Sequence, residues 1–252
     1  MDKRANFRER LLGGERLIGT YIKTPSPIVT EVLGLTDLDC LCLDAEHAPF
    51  DRITIDGCVA MARAAAMPAL VRVPHAAPEH ILNALDCGAT GVIAPHICTV
   101  EQAEAFARAC RYGEGGRGYA GSSRAAGYTT RAMADNLARA ATQTTVIAQI
   151  EDPVAVDNVD GIAAVDGIDA LFVGRVDLTV AYDASSQDDP CVVAAVEKIC
   201  AAGLRHNRRV GMFLARPGDV PFWAERGASL FLLGSDHGFM LDGAARLVAQ
   251  CR

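Results

Sequence analysis

The sequence predicts a single (β/α)8 barrel that occupies residues 1–252. A chain of 252 residues and 26.6 kDa has the length that is typical of one such barrel. Half of the residues are hydrophobic and 22% are charged, which is enough for a sizeable core and excludes a disordered chain. Eight short apolar runs alternate with longer helical patterns, and no change of composition or Ser/Gly-rich linker divides them.

The eight runs are rich in Val, Ile and Leu and lack strict alternation with polar residues. This pattern is typical of strands buried on both faces of a parallel sheet, and the intervals are long enough for crossover helices. A doubly wound sheet is the second fold that fits, but eight β-α units favour the barrel. The predicted strands are Leu17–Ile22, Cys40–Leu43, Ala69–Val73, Gly91–Ala94, Thr145–Ile150, Ala170–Val173, Val210–Leu214 and Ser229–Leu233.

Helical periodicity is clearest in six intervals. They are Asp51–Ala66, Pro78–Cys87, Val100–Arg111, Pro190–Asn207, Pro217–Gly227 and His237–Cys251. The last of these ends the chain with a row of apolar side chains that a lone helix cannot bury. We therefore expect an assembly larger than a monomer.

A glycine-rich stretch, residues 113–123, follows the helical pattern that ends at Arg111. Gly113, Gly115 and Gly118 match the G-x-G-x-x-G dinucleotide pattern, but they follow a helix instead of joining a strand to its helix. No acidic residue ends a second strand at the required distance, so dinucleotide binding is disfavoured. A mobile loop that covers a site is the better interpretation.

The charge balance argues against nucleic acid and membranes as partners. Asp plus Glu number 31 against 24 Lys plus Arg, which gives a formal charge of −7 without a basic run to attract a polyanion. The longest uncharged stretch, Cys87–Val100, is too short and too polar to span a bilayer. Residues 1–10 carry charge where a secretion signal needs an apolar segment, so we expect a cytoplasmic protein.

Nine cysteines occur, and none forms a C-x-x-C pair. Cys40 and Cys42 lie two residues apart on a predicted strand, where a thiol packs as a small apolar side chain. We therefore expect reduced thiols in the core, and neither a disulfide framework nor a zinc framework.

Charged residues collect at the carboxyl ends of the predicted strands, where a barrel carries its active-site loops. Glu151 follows the fifth strand and Asp177 the sixth, so both are expected at the mouth of the barrel. Two close carboxylates repel unless a cation lies between them, and such oxygen ligands suit Mg²⁺, Mn²⁺ or a similar divalent ion. The alternative is that each carboxylate caps the helix that follows it.

His47 and Arg72 are two further candidates. His47 lies three residues after Asp44, which could orient the imidazole for proton transfer, although a structural histidine would have the same spacing. Arg72 lies within an apolar strand, where a guanidinium needs an anion. That anion is either a substrate oxyanion or a structural carboxylate from Asp44, Glu46 or Glu151.

Six short motifs follow one another along the chain: Leu43–Pro49, Val71–Pro74, Leu85–Ala89, Gly116–Gly118, Gln149–Glu151 and Gly174–Leu178. In this order they resemble the motifs of the HpcH/HpaI aldolases, class II pyruvate aldolases that include enzymes for 2-keto-3-deoxy sugar acids. The resemblance implies a barrel whose last helix is exchanged between subunits of a hexamer. It also implies a divalent ion, Mg²⁺, Mn²⁺ or Co²⁺, and as substrates pyruvate or a related 2-keto acid with an aldehyde.

The resemblance implies a role for each matching residue. Glu151 and Asp177 correspond to the metal ligands, and His47 corresponds to the general base. Arg72 corresponds to the residue that stabilises enolate charge, and Gln149 to a substrate contact.

Further roles follow from the same motifs. Asp86 corresponds to the residue that raises the basicity of the histidine, with Asp44 as the nearby competitor for that role. The backbone of Arg175 and Val176, directly after Gly174, corresponds to the segment that receives the pyruvate carboxylate.

Arg175 is a departure from the family pattern, which commonly has Gly-Pro-x-Asp-Leu where this chain has Gly174–Leu178. A guanidinium at the rim of the site would favour substrates with a second carboxylate. An Arg175 that turns outward to a surface carboxylate would leave specificity unchanged.

The expected chemistry is the cleavage or formation of 4-hydroxy-2-keto acids through a pyruvate enolate, assisted by a metal ion. We assign no Schiff-base lysine at the strand ends, which disfavours class I aldolase chemistry. Two alternatives are a lyase of the citrate lyase β-subunit or malyl-CoA type and a non-catalytic barrel that binds a keto acid. The short chain counts against the first, and the set of catalytic side chains counts against the second.

Overall fold

Eight parallel strands close into a barrel in the computed structural model, which describes residues 7–252. The strands are β1 (Leu17–Ile22), β2 (Cys40–Asp44), β3 (Ala69–Arg72), β4 (Gly91–Ala94), β5 (Thr145–Ile150), β6 (Ala170–Val173), β7 (Arg209–Leu214) and β8 (Ala228–Ser235). Each strand pairs with the next in sequence, and β8 pairs with β1. The closed barrel confirms the predicted fold and excludes the doubly wound sheet. All eight predicted runs are strands.

Twelve α-helices surround the barrel within the described part of the chain. They are α1 (Phe7–Leu12), α2 (Pro27–Gly34), α3 (Arg52–Ala64), α4 (Pro78–Asp86), α5 (Val100–Ala109), α6 (Met133–Gln143), α7 (Pro153–Asp157), α8 (Val159–Ala164), α9 (Arg175–Ala181), α10 (Pro190–Arg205), α11 (Val220–Ala224) and α12 (Asp236–Cys251). Five of the six predicted helices form nearly as expected. The sixth, Pro217–Gly227, is a 3-10 turn followed by α11, because Pro221 has no N–H to continue the helical bonding.

Alternate strand residues pack into two separate apolar layers, as a barrel requires. The inner layer fills the barrel with Leu17, Cys42, Phe172 and other strand side chains, and it also contains Phe7 and Leu11 of α1. The outer layer packs the other strand face against the helices. Because α1 inserts two fully buried side chains into the inner layer, it closes the barrel at the amino ends of the strands.

The glycine-rich segment between α5 and α6 does not cover the mouth of the barrel. Arg117 within it is buried, Arg124 makes a bidentate ion pair with Asp56, and the N–H of Ala125 donates to the carbonyl of Asp86. These contacts hold the segment beside the ends of helices that run back to the amino side of the barrel. The expected mobile lid is therefore wrong, because the segment connects two helices on the far side from the strand ends.

All nine cysteines are free, and six of them are buried, where they pack as the small apolar side chains expected from the sequence. Among the described residues, no helix has both the length and the apolar character needed to cross a bilayer. Residues 1–6, whose charges carry part of the expectation for the amino terminus, lie outside the described residues.

Candidate active site

The carboxyl ends of the strands surround a cavity of about 230 Å³. Its lining comes from five strands and from the segments after β1, β2 and β6: Tyr21, Lys23, His47, Arg72, Gln149, Phe172, Val173, Gly174, Arg175, Val176, Asp177 and Phe213. Seven residues predicted from the sequence are in this lining: His47, Arg72, Gln149, Gly174, Arg175, Val176 and Asp177. Since α1 closes the other end of the barrel, the cavity is the natural place for a substrate.

Asp44, the last residue of β2, is fully buried and anchors three groups. Its Oδ1 accepts bonds from Nε and Nη2 of Arg72, at 3.0 and 2.8 Å, and from the backbone N–H of His47 at 3.2 Å. Nζ of Lys23 lies 3.0 Å from its Oδ2. Burial alone would raise the pKa of Asp44, but Arg72 and Lys23 hold that pKa below its usual value. Asp44 therefore orients Arg72 and contacts the backbone of His47, which corrects the expectation that it orients the imidazole.

Arg72 ends β3 and is held on three sides. Asp44 binds one edge of the guanidinium, Nη1 lies 3.2 Å from Oε2 of Glu46, and the guanidinium carbon lies 4.8 Å from the centre of the Tyr21 ring. These contacts fix a permanent positive charge in the cavity wall. The N–H groups that do not face these carboxylates remain able to reach a bound oxyanion.

Glu151 follows β5 and is only 2% exposed. Its Oε1 accepts the backbone N–H of His96 at 2.9 Å, and its Oε2 accepts the side-chain N–H of Gln149. Burial raises the pKa of Glu151 even though these two donors oppose the shift. The Oε1 atom of Gln149 is buried and has no hydrogen-bond partner among the described residues.

Gly174, at the end of β6, lets Glu151 and Asp177 approach each other. A Cβ at this position would lie 2.7 Å from Oε2 of Glu151 and 3.3 Å from Oδ2 of Asp177. The two oxygens are therefore no farther apart than the sum of these distances, with no side chain between them. Burial is the main cause of the raised pKa of Glu151, and the negative charge of Asp177 raises it further. The structure thus brings together the two carboxylates that the sequence analysis paired.

Glu46 and His96 also reach this site, although the sequence motifs did not assign them to it. Nδ1 of His96 lies 2.9 Å from Oδ2 of Asp152 and 3.4 Å from Oε1 of Glu151. Glu46, His96 and Glu151 each offer one ligand atom within 4.8 Å of the others, close enough to share an ion. Their position in the sequence could have indicated this, because Glu46 and His96 each come two residues after the end of a strand.

Lys23 is another residue that sequence reasoning missed, because no lysine was assigned at the strand ends. It comes directly after β1 and lines the cavity, with its ammonium 3.0 Å from Asp44. An ammonium held in an ion pair is a fixed charge, whereas a Schiff base needs a neutral amine. Lys23 therefore adds positive charge to the mouth, and class II chemistry stays the better expectation.

His47 and Asp86 have different partners in the structure. His47 is on the loop after β2, half exposed, with its Nε2 3.7 Å from Oε2 of Glu46. Asp86 ends α4, which returns to the amino side of the barrel, and it faces Arg117 at 3.8 Å. Burial raises the pKa of Asp86. The implied pairing of Asp86 with His47 is therefore not formed within one chain.

Arg175 directs its guanidinium to residues outside the cavity. Nη2 donates to the carbonyl of Gln187 at 3.0 Å and lies 3.5 Å from Asp188, and the guanidinium carbon lies 5.1 Å from the centre of the Trp223 ring. Arg175 thus turns outward to a surface carboxylate, which is the second of the two arrangements expected from the sequence. Its guanidinium does not add positive charge at the rim of the site. Gly174 and Val176 lie beside it in the cavity lining, at the start of α9.

A family model described as HpcH/HpaI aldolase/citrate lyase matches residues 17–242, which is most of the chain and the whole barrel. The chain belongs to this family. The 5-keto-4-deoxy-D-glucarate aldolase of Salmonella arizonae is 35% identical over 243 residues, covering 96% of this chain and 94% of that protein. The chain is accordingly a class II aldolase, a lyase that acts on carbon–carbon bonds.

Solved structures agree with this assignment. An HpcH/HpaI aldolase/citrate lyase family protein from Burkholderia cenocepacia J2315 superimposes with a TM-score of 0.93 at 32% identity, covering 98% of this chain and 99% of that one. A citrate lyase β subunit from M. tuberculosis has a TM-score of 0.55 at 15% identity, covering 90% of this chain and 93% of that one. That second likeness shows the fold alone, so the citrate lyase alternative is the more distant one.

His96 provides a pH-dependent test of the site geometry. The hydrogen bond to Asp152 raises the pKa of His96 above 6.5, while partial burial opposes the shift. The pair therefore stabilises the fold fully below pH 6.5, and this contribution is lost as the pH rises through the folded pKa. We expect Asp152→Asn to lower the midpoint of the His96 imidazole, measured by NMR titration of chelator-treated protein. Equal midpoints in both proteins would contradict the contact.

Proposed function

We propose that this aldolase cleaves and forms 4-hydroxy-2-keto acids with a divalent ion, Mg²⁺, Mn²⁺ or Co²⁺, held by Glu151 and Asp177. The approach of these two carboxylates across Gly174 carries the proposal. It takes place in a cavity that also holds a fixed guanidinium, Arg72, and an accessible imidazole, His47. Carboxylates, a cation and a proton carrier are the parts that an enolate reaction needs.

The residues present fit a hard divalent ion. Glu151 and Asp177 offer carboxylate oxygens, and Glu46 and His96 lie beside Glu151 as further donors. Burial raises the pKa of Glu151, so its ionised form gains from a neighbouring cation. The buried Oε1 of Gln149, without a hydrogen-bond partner among the described residues, is a neutral oxygen suited to the same place. When bound, such an ion supplies Lewis-acid polarisation of the 2-keto carbonyl.

Arg72 and His47 supply the remaining functions. Arg72 is held by Asp44 and Glu46 beside the place where negative charge develops on the keto oxygen during cleavage, and one such donor is worth ~3 kcal/mol. His47 takes the proton of the 4-hydroxyl, directly or through water, as the carbon–carbon bond breaks. Run in reverse, His47 returns this proton to the oxygen of the aldehyde.

We propose an acidic sugar-derived keto acid as the substrate, like the one in the name of the Salmonella relative. Numbered from its keto end, 5-keto-4-deoxy-D-glucarate is a 4-hydroxy-2-keto acid, and its cleavage gives pyruvate and an aldehyde that carries a carboxylate. The backbone after Gly174, at Arg175 and Val176, receives the pyruvate carboxylate in this proposal. Lys23 is the cation that remains at the rim for the second carboxylate, since it is one-third exposed and lines the cavity.

Glu151→Gln and Asp177→Asn should each raise the Kd for Mn²⁺ at least tenfold, about 1.4 kcal/mol, because each removes one of two anionic ligands. Titration calorimetry on chelator-treated protein measures the affinity. Exchange of pyruvate methyl protons, followed by NMR with Mn²⁺ present and absent, measures formation of the enolate.

His47→Ala is the matched control, since it should keep the Mn²⁺ affinity and bind pyruvate yet lose both proton exchange and aldol cleavage. Unchanged Mn²⁺ affinity in both carboxylate variants would contradict the assignment of Glu151 and Asp177 as ion ligands. Absence of exchange in the wild-type protein would favour the barrel that only binds a keto acid.

Lys23→Met should lower kcat/KM for an aldehyde that carries a carboxylate by about tenfold or more, because Lys23 is the cation proposed to meet that carboxylate. Addition of pyruvate to glyceraldehyde, which is neutral, should change by less than about twofold. Arg175→Met is the matched control and should leave the ratio of kcat/KM for the acidic aldehyde to kcat/KM for glyceraldehyde unchanged. Its guanidinium is held by Gln187 and Asp188 and lies over the Trp223 ring. Equal losses on both aldehydes in Lys23→Met would show that Lys23 acts only by supporting Asp44.

We also propose that the protein is a homo-oligomer, with a hexamer as the favoured form. Helix α12 exposes large apolar side chains along its length: Phe239, Met240, Leu241, Leu247 and Val248. Asp236 at its start is its only buried residue. A helix that is this apolar and this exposed needs a partner surface, and exchange of α12 between copies would provide one.

Light scattering should give a mass of about 160 kDa, six copies of the 26.6 kDa chain. Leu241→Glu with Val248→Glu should shift the protein to smaller species, because two charges would enter the buried contact. Circular dichroism should remain unchanged in this variant. A stable 26.6 kDa species of the wild-type protein at micromolar concentration would contradict the proposal.

A further inference from the structure

A second group of metal-ligating side chains lies on the loop between β3 and α4. His75, Glu79 and His80 each offer one ligand atom, and these atoms lie within 4.8 Å of one another. The imidazoles of His75 and His80 meet edge to face, with ring centres 4.5 Å apart. None of the three residues lines the mouth cavity, so this group is separate from the site described above.

The donor atoms of this group are uncommitted. Among the described residues, none of the three side chains has a hydrogen bond or an ion pair. Other histidines of the chain do have carboxylate partners. His96 is hydrogen-bonded to Asp152, and His206 lies 3.3 Å from Asp160. A neutral imidazole with a free nitrogen lone pair is ready to bind a metal ion.

The backbone limits how far these side chains can move apart. Pro74 precedes His75, and Pro78 is the first residue of α4, where its fixed φ sets the direction of the first helical turn. Glu79 and His80 belong to that turn. Ligand atoms of a tetrahedral ion with 2.0–2.1 Å bonds lie about 3.4 Å apart, so small rotations of these solvent-accessible side chains would close the group around an ion.

We infer that His75, Glu79 and His80 form a binding site for a divalent transition-metal ion, with Zn²⁺ as the occupant that the donor set favours. Two imidazoles and one carboxylate suit Zn²⁺, and Ni²⁺ or Cu²⁺ to a similar degree, better than Mg²⁺ or Mn²⁺. Three protein ligands leave a fourth position for water or another molecule. The chain thus carries an imidazole-rich site beside an oxygen-rich one, and the two sites select different metals.

The test uses full-length protein with Glu151→Gln and Asp177→Asn, so that the proposed ion site at the mouth does not contribute. Titration calorimetry with Zn²⁺ should give one ion per chain. Adding His75→Ala or His80→Ala should raise the Kd at least tenfold, and Glu79→Gln should also raise it because the only anionic ligand is lost. His206→Ala, which removes a partly exposed histidine with a carboxylate partner, should leave the Kd unchanged.

NMR of the imidazole nitrogens gives a second measurement that does not depend on substitutions at the site. One equivalent of Zn²⁺ should shift the His75 and His80 nitrogens and leave those of His206 in place. Either of two results would overturn the inference: a Kd that is the same in the parent and in all histidine variants, or Zn²⁺-induced shifts that spare His75 and His80. Both readouts are made without Glu151 and Asp177, the two carboxylates proposed to hold the ion at the mouth, so failure of this inference and failure of the proposed function are distinguishable.

Discussion

The ion pair between Asp44 and Arg72 is the interaction on which the mouth of the barrel depends. A guanidinium that is 7% exposed costs several kcal/mol to bury unless an anion pairs with it. Asp44 and Arg72 are direct register partners in the pairing of β2 with β3, so the sheet itself places them side by side. A slip of one residue would turn one of them to the other face of the strand. The strand register that closes the barrel therefore also fixes the geometry of the site.

The second determinant of the site is that the barrel has only one open end. Helix α1 fills the amino end with Phe7 and Leu11, and Arg8 secures it through two hydrogen bonds to Asp169, just before β6. Strand interiors are apolar, so charged side chains can be accommodated only where the strands finish. Asp44, Arg72 and the residues after β5 and β6 consequently converge on one small volume instead of spreading over the surface.

Positions along the strands could be predicted from the sequence because apolar runs and the residues that end them are local features. Glu151 and Asp177 were paired in this way, and the structure brings them together across Gly174. Side-chain direction could not be predicted, because it depends on contacts that are distant in sequence. Arg175 turns away from the cavity toward Trp223, and Asp86 faces Arg117. A motif gives the position of such a residue but not its partner.

The balance of charge at the mouth gives the metal proposal its physical basis. Arg72 and Lys23 are both engaged by Asp44, and Arg72 also faces Glu46, so the permanent cations compensate one pair of carboxylates. Glu151 and Asp177 form the other pair, and the groups around Glu151 are amide donors and the partly exposed His96. Amide donors reduce the cost of a buried carboxylate without cancelling its charge, which agrees with the raised pKa of Glu151. In the metal proposal a divalent cation would supply positive charge beside Glu151, which has no Lys or Arg partner among the described residues, and this is also where a 2-keto acid needs it.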